Sequence, residues 1–270
     1  MVIATLGDAL LDVIVRLDDP LTAGADAPAT TRTSAGGQAA NVAAWTVALG
    51  GRARCVAKRG DDAAGTLVAA ELAERDVELA GPLGTRTGIV VSLVGRDGER
   101  TMASDRGSSP ELRARELDPS WFACDCLHIS GYALLSTPSA DAATRAVELA
   151  RQHGARISVD LSAWTQMRAY GARIFRKHVE RLEPDVLFAN EAEWDVLSLG
   201  NALAQTSVVK RGSRGIAVFG EREVELPARE AKVVDTTGAG DALAAGYLLG
   251  GADLALDAAA RCISKLGAMP

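Results

Sequence analysis

The sequence has few aromatic residues, few cysteines and few histidines, and each shortage argues against a class of protein. Aromatic residues make up 4% of the 270 positions. The four cysteines show no Cys-x-x-Cys spacing and the three histidines no His-Glu-x-x-His pattern, so we expect neither a structural metal nor a disulfide framework. The net charge is −6 and the sequence has no run rich in Lys or Arg, which argues against a nucleic-acid partner.

Long hydrophobic runs and targeting signals are also missing. No apolar run is judged long enough to span a membrane, and the first residues lack the basic region and cleavage site of a signal peptide. We therefore expect a cytoplasmic protein that does not associate with membranes.

What the sequence does contain is typical of an α/β protein. Hydrophobic residues make up 48% of the chain, with much Ala, Val, Leu and Gly. After residue 110, predicted strands at 126–129, 157–160 and 186–189 alternate with predicted helices at 139–152 and 171–182. Such a series forms a parallel sheet with right-handed crossovers. Asp160 falls at a strand end, where ligands bind in these sheets, and is either a cleft residue or a helix cap.

The clearest chemical pattern lies near the C-terminal end, where a Thr/Gly turn leads into an apolar helix. Gly238 and Gly240 leave the backbone N–H groups of the turn open to close approach, and a helix N-terminus favours an anion. Asp241 follows directly, where a carboxylate could take a proton from a hydroxyl that attacks a phosphate. The alternative is an ordinary helix start capped by Thr236 or Thr237.

Two well-known phosphate-binding motifs do not account for this turn. The dinucleotide-binding fingerprint requires Gly or Ala three residues after Gly240, where the chain has Leu243. A Walker A loop requires a Gly-Lys pair, and the sequence contains none.

The run Asp-Thr-Thr-Gly-Ala-Gly-Asp at 235–241 resembles the C-terminal signature of the ribokinase-like (PfkB) family of sugar and nucleoside kinases. The resemblance implies that Asp241 is the catalytic base and that Gly238, Ala239 and Gly240 form the anion hole. It also implies a three-layer α/β/α fold with a central, mostly parallel sheet and a small β-sheet lid. We expect one kinase domain over residues 1–270, with lid strands from about 13–34 and 87–106.

The N-terminal part of the chain resembles the sugar-binding half of the same family. Gly36-Gly37-x-x-x-Asn41 is similar to the N-terminal family signature, and Asp12 matches an acidic residue that holds acceptor hydroxyls. The resemblance therefore assigns Asp12, Gly36, Gly37 and Asn41 to the acceptor. The alternative for Asn41, taken alone on a buried helix, is a helix–helix hydrogen bond.

The nucleotide site is assigned by resemblance as well. Asn190-x-x-Glu193 matches a motif associated with Mg²⁺ and phosphate, with Glu193 acting through water, although an Asn cap with a capping box explains the same spacing. Lys210, Gly212 and Gly215 resemble the nucleotide loop, in which many members have Thr where this chain has Lys210.

A monovalent-cation site is only half matched. Asp235 and Thr237 correspond to the first half of the K⁺ site of some members. Because the usual continuation of the chain after Gly267 is missing, we expect a weak response to K⁺ or none.

Together these motifs predict an ATP- and Mg²⁺-dependent kinase that phosphorylates a hydroxyl of a small sugar or sugar acid. A sugar-like acceptor is favoured over a nucleoside because the lid segments contain no Phe, Tyr or Trp. A nucleoside kinase and a non-catalytic sugar-binding relative are the alternatives, and a homodimer through the lid is compatible with the resemblance. Lys58 and Arg59 are interpreted as surface residues, and the alternative is that they place a charge near the acceptor. Arg106 could contact either the acceptor or solvent. Asp97-Gly98 predicts a hairpin turn.

Overall fold

The structure is a computed structural model and describes residues 1–95, 100–197, 203–221 and 223–270. The strands are β1 (Val2–Leu6), β2 (Leu10–Leu17), β3 (Ala29–Gly36), β4 (Arg52–Val56), β5 (Arg59–Gly60), β6 (Glu78–Ala80), β7 (Leu83–Gly84), β8 (Thr87–Val94), β9 (Arg100–Gly107), β10 (Cys126–Ser130), β11 (Arg156–Asp160), β12 (Val186–Asn190), β13 (Thr206–Lys210), β14 (Ile216–Phe219) and β15 (Val224–Leu226). The α-helices are α1 (Gln38–Ala48), α2 (Ala63–Ala73), α3 (Thr137–Arg151), α4 (Trp164–Tyr170), α5 (Ala172–Leu182), α6 (Glu191–Val196) and α7 (Ala239–Ile263).

Within the described residues, nine strands form the central sheet in the order β15-β14-β13-β12-β11-β10-β1-β4-β6. The strands from β13 to β6 pair in parallel, and β14 and β15 add to the edge in antiparallel orientation. All five residues of β10 are buried, as expected for a strand covered on both faces.

Helices cover the two faces of this sheet and give the layered α/β/α arrangement that the resemblance implied. On one face Leu127 and Ile129 of β10 belong to a core cluster with Phe175 of α5 and with residues of α3. On the other face Cys126 of β10 joins Trp45 of α1 and the apolar residues of α7. The expected fold class is confirmed. The predicted helices are present as α3 and α5, whereas the short helix α4 was not predicted.

A second sheet has the order β3-β2-β8-β9, with β2 and β8 parallel and the outer pairs antiparallel. Its strands come from the two segments expected to supply the lid, although β2 begins earlier, at Leu10. The predicted turn at Asp97-Gly98 lies outside the described residues. The description of the chain as a single domain with a lid stays a prediction.

Helix α7 contradicts the expectation that no apolar run of the chain is long enough to span a membrane. By length and composition it could cross a membrane, but half of its apolar stretch is buried inside the protein. Gly251 interrupts it with φ 78° and ψ −163°, so the apolar helix predicted after the Thr/Gly turn is the first part of α7. The burial shows a core helix that packs against α1 and the sheet.

Candidate active site

The N-terminal turn of α7 lies between two cavities, one of about 200 Å³ and one of about 600 Å³. The smaller cavity is lined from this turn by Thr237, Gly238 and Asp241, and the larger by Thr236, Ala239 and Gly240. Residues of this one turn therefore line both cavities.

The start of α7 is not capped by a side chain. Gly238 is the N-cap, with φ 75° in the left-handed region that favours glycine. A Cβ on Gly238 would lie 2.6 Å from the Cβ of Ala268. Thr237 Oγ1 donates to Asp235 instead of capping the helix, so the alternative of a Thr cap is wrong. The first N–H groups of α7 therefore have no side-chain acceptor and suit an anion.

The C-terminal segment is bound beneath this turn. Asp235 Oδ1 accepts from Thr237 N (2.9 Å) and Oδ2 accepts from Gly267 N (2.9 Å). Trp45 Nε1 of α1 donates to the carbonyl of Ala268 at 2.8 Å. Asp235 and Thr237, expected at a monovalent-cation site, are thus engaged with each other and with the C-terminal backbone, and they hold the turn in place.

Asp241 receives a hydrogen bond at Oδ2 from Asn41 Nδ2 of α1, at 2.8 Å. Burial raises the pKa of Asp241 from 3.8 to about 7, and the nearby charge of Asp160 adds to the rise. The hydrogen bonds of Asn41 and Gln38 and the charge of Lys210 oppose it. Asn41 therefore makes the helix–helix hydrogen bond considered from the sequence, and its partner is the candidate base. Asp241 titrates near neutrality, as suits a general base.

The acceptor residues expected from the N-terminal motif gather at the smaller cavity. Asp12, Gly37 and Asn41 line it together with Asp241. Gly36 does not line it, but a Cβ there would lie 2.2 Å from Asp12 Oδ2, so the glycine makes room for the Asp12 carboxylate. Gly37 has φ 92°, and a Cβ would lie 2.4 Å from the Asp8 carbonyl. The two glycines shape the cavity wall.

Three further lining residues were not assigned to the acceptor from the sequence. Asp8 was not singled out, Arg106 was left open, and Tyr132 was not considered. Arg106 donates from Nε and Nη2 to the two oxygens of Asp8 at 2.8 and 2.7 Å, and its guanidinium carbon lies 5.5 Å from the Tyr132 ring centre. Asp8 and Tyr132 both follow a strand of the central sheet by two residues, so the rule that ligands bind at strand ends could have found them.

Lys210, Gly212 and Gly215, which were predicted to bind the nucleotide, all line the larger cavity. Lys210 Nζ donates to both oxygens of Asp160, at 2.9 and 2.7 Å. Burial opposes the charge of Lys210, but Asp160 and other nearby carboxylates outweigh it and raise the pKa. Asp160 is fully buried in this pair and does not cap a helix, because Ala163 is the N-cap of α4.

Asn190 and Glu193 form a reciprocal capping box at the start of α6. Glu193 N donates to Asn190 Oδ1 at 2.9 Å, and Asn190 N donates to Glu193 Oε2 at 2.8 Å. The Glu193 carboxyl is 2% exposed, and burial raises its pKa. Neither residue lines the two cavities. Across the described part of the chain, no three His, Cys, Asp or Glu side chains form a ready metal cluster.

The interpretation of Lys58 as a surface residue is wrong. Lys58 is 9% exposed, and its Nζ donates to Glu116 Oε1 at 2.7 Å. Its neighbour Arg59 is half-buried. Neither residue lines the smaller cavity, so the basic pair contributes no charge to the cavity wall.

Comparison with known proteins gives a consistent family. A family model described as pfkB family carbohydrate kinase matches residues 2–269. Fructokinase-1 of Zea mays is 29% identical over 269 residues, which cover 91% of this chain and 81% of the relative. The ATP-dependent ribose-1-phosphate kinase of Halopiger xanaduensis is 30% identical over 259 residues, which cover 91% and 83%.

Solved structures have the same fold. The adenosine kinase from Sinorhizobium meliloti superposes with a TM-score of 0.86 at 26% identity and covers 99% of this chain and 95% of that one. A protein from Pyrococcus horikoshii, described as an uncharacterized sugar kinase in complex with ATP, has a TM-score of 0.85 at 22% identity, with 99% and 95% covered. At that identity the second likeness shows the fold alone.

Proposed function

Because the chain belongs to the pfkB family of carbohydrate kinases, we propose that it transfers the terminal phosphoryl group of ATP to a hydroxyl of a small sugar or sugar acid. The observation that carries this proposal is the position of Asp241. Asp241 lines the smaller cavity at the first turn of α7, and Ala239 and Gly240 of the same turn, which has no side-chain cap, line the larger one. This arrangement supports the proposal of a base beside an anion hole.

The acceptor hydroxyl would bind in the smaller cavity and give its proton to Asp241. Asn41 fixes the carboxylate through its 2.8 Å hydrogen bond, so the other Asp241 oxygen can face the hydroxyl. Asp12 would accept hydrogen bonds from further hydroxyls, as carboxylates do. A general base of this kind contributes about 10²- to 10⁴-fold to the rate.

The phosphoryl group would pass over the turn formed by Gly238, Ala239 and Gly240. Their backbone N–H groups and the positive end of α7 stabilise the charge that develops on its oxygens. A Cβ on Gly240 would lie 3.2 Å from Lys210 Nζ, so the ammonium also stands at the turn. Lys210 would therefore bind phosphate oxygens from the side of the larger cavity.

Mg²⁺ fits the carboxylates of this region as an ion held largely by the triphosphate and by water. Asp160, Glu193 and Asp241 all act electrostatically on Lys210, and oxygen donors of this kind are the ligands Mg²⁺ prefers. When bound, the ion would neutralise charge on the transferring group. Glu193 reaches it only through water, because it does not line the larger cavity.

A nucleoside acceptor is the second candidate. The adenosine kinase from Sinorhizobium meliloti has the same fold, and Tyr132 places an aromatic ring in the smaller cavity. We favour a sugar because the cavity measures about 200 Å³, below the range of about 300–1,000 Å³ for drug-sized ligands. A non-catalytic sugar-binding role is disfavoured because pure binding does not need a base beside an anion hole.

Three further properties belong to the same proposal. We propose that the protein acts in the cytoplasm and that a homodimer would form through the second sheet. We also propose a weak response to K⁺, because Thr237 and the backbone N–H of Gly267 already occupy both oxygens of Asp235.

The test is ATP consumption across a panel of fructose, ribose, a keto-deoxy sugar acid, ribose 1-phosphate and adenosine. We expect Mg²⁺-dependent turnover of a sugar or sugar acid, lost by about 10²- to 10⁴-fold in Asp241→Asn. A tenfold or greater preference for adenosine over every sugar would replace the sugar by the nucleoside. Turnover of Asp241→Asn within tenfold of the parent would refute the assigned base.

A further inference from the structure

The Asp8–Arg106 pair brings two opposite charges into the wall of the acceptor cavity. Asp8 is 4% exposed and the Arg106 side chain 14%, and both line the smaller cavity. The guanidinium binds both carboxylate oxygens, at 2.8 and 2.7 Å, which is the strongest geometry for this pair. Burial works against the charge of Arg106, but Asp8 outweighs it and raises the pKa of the arginine. Asp8 and Arg106 thus form a salt bridge in which the two charges compensate each other.

The Asp8–Arg106 pair determines the net charge that the cavity lining presents to an acceptor. Among the lining residues that the structure describes, Arg106 is the one positively charged side chain. Asp8 already neutralises it, and the other two acidic side chains of the lining, Asp12 and Asp241, bring no positive charge. An acceptor with a carboxylate or phosphate would lose its hydration without gaining a free cation, and such burial is unfavourable.

An uncharged acceptor, by contrast, can form hydrogen bonds with the residues that line this cavity. A guanidinium has five N–H donors, of which Asp8 needs two, so Arg106 can still donate to a hydroxyl oxygen. The Tyr132 ring lies beneath the guanidinium and supports its orientation. Arg106 thus offers directed donors without a net charge.

Building on the proposed kinase function, we propose that the Asp8–Arg106 pair makes this site selective for uncharged polyhydroxy acceptors over acceptors that carry a carboxylate or a phosphate. Arg106 is the residue that contacts the acceptor, and Asp8 determines its charge. The acceptor class narrows accordingly to neutral sugars.

The test compares kcat/KM for fructose with that for a keto-deoxy sugar acid, and ribose with ribose 1-phosphate. The parent protein should prefer the neutral member of each pair. Asp8→Asn leaves Arg106 charged and unpaired, so the preference should move toward the anionic member by about 10- to 100-fold, as for one hydrogen bond to a charged group.

Asp105→Asn is the matched control. This variant makes the same Asp-to-Asn change one residue before Arg106. It removes the partner of Arg86, which binds Asp105 at an exposed site outside the cavity. The ratios should not change in this variant. Arg106→Gln keeps a partner for Asp8 while removing the positive charge, and it should weaken neutral acceptors without any gain for anionic ones.

Two results would overturn the proposal. One is a parent protein that prefers the anionic member of either pair. The other is an Asp8→Asn variant that melts cooperatively and binds ATP but keeps the parent ratios. If Asp8→Asn does not fold, Arg106→Gln decides. A higher kcat/KM for anionic acceptors in that variant refutes the proposal. A lower kcat/KM for neutral acceptors, with no rise for anionic ones, supports it.

Binding separates this proposal from the kinase assignment. If the parent turns over no acceptor, the proposed function fails, and dissociation constants for the same pairs, measured calorimetrically with a non-hydrolysable ATP analogue, decide the selectivity. Tighter binding of the neutral members supports it, and equal or weaker binding, or none, overturns it.

Discussion

Replacing Asp241 with Asn is expected to remove activity and at the same time to stabilise the folded protein at neutral and higher pH. Burial holds the pKa of Asp241 at about 7, above its ordinary 3.8. Between pH 3.8 and about pH 7, the folded state therefore keeps a proton on Asp241 that the unfolded state has already lost. The contribution of Asp241 to stability is fully present below about pH 4 and is lost as the pH rises through 7.

The size of the effect follows from the pKa. One pKa unit corresponds to about 1.36 kcal/mol, so ionising Asp241 costs the folded state up to about 4 kcal/mol above pH 7. Asp241 is only partly buried by surface area, and solvent screening reduces the cost, which leaves about 2–4 kcal/mol. Asn carries no charge to desolvate, so the variant should gain this amount at pH 8 and almost nothing at pH 4.

The measurement is urea unfolding of both proteins at pH 4, 6 and 8. Asp118→Asn is a control of opposite sign: hydrogen bonds from Ser120 lower the pKa of Asp118 below its ordinary 3.8, so its loss should destabilise the protein throughout pH 4–8 and should not stabilise it at pH 8. A difference between Asp241→Asn and the parent that stays constant from pH 4 to 8 would refute the electrostatic account of Asp241. So would a variant less stable than the parent at pH 8.

Three other predictions concern the surroundings of the base. Lys210→Met should raise the KM for ATP at least about tenfold, since it removes a charge-assisted contact at the larger cavity; an unchanged KM would exclude a phosphate contact. Glu193→Gln should raise the Mg²⁺ concentration needed for half-maximal rate, and an unchanged requirement would reduce Glu193 to its capping role. Trp45→Phe removes the donor to the Ala268 carbonyl and should cost about 1 kcal/mol in urea unfolding and lower kcat; a parent-like kcat would show that this hydrogen bond does not support the anion hole.

Local patterns in the sequence were sufficient to predict most elements of the fold and the turn that precedes Asp241. Strand β12 begins at the predicted residue, Val186, and α3 and α5 lie within two residues of the predicted helices. The reason is physical: apolar spacing and glycine positions act over a few residues, so the chain reveals them without tertiary information.

The sequence was misleading where burial depends on distant segments. Lys58 looks like a surface residue, but it is buried because Glu116, which is 58 residues away, provides its partner. The helix α7 has the length and composition of a membrane span, but α1 and the sheet cover half of its apolar stretch. A side chain's own polarity does not determine its burial when a remote residue can compensate its charge.

Some features of the candidate site also follow from the sequence, whereas others depend on the tertiary structure. The sequence alone determined that Gly238, Gly240 and Asp241 stand together at a helix start, because they are neighbours along the chain. The tertiary structure alone decided that Asn41 orients Asp241 from 200 residues away and that Asp8 neutralises Arg106 from 98 residues away. Hydrogen bonds and ion pairs form between atoms within about 3 Å in space, whatever their separation along the chain. Only the tertiary structure, which packs α1 on α7 and brings the end of β9 to the residues that follow β1, fixes those distances.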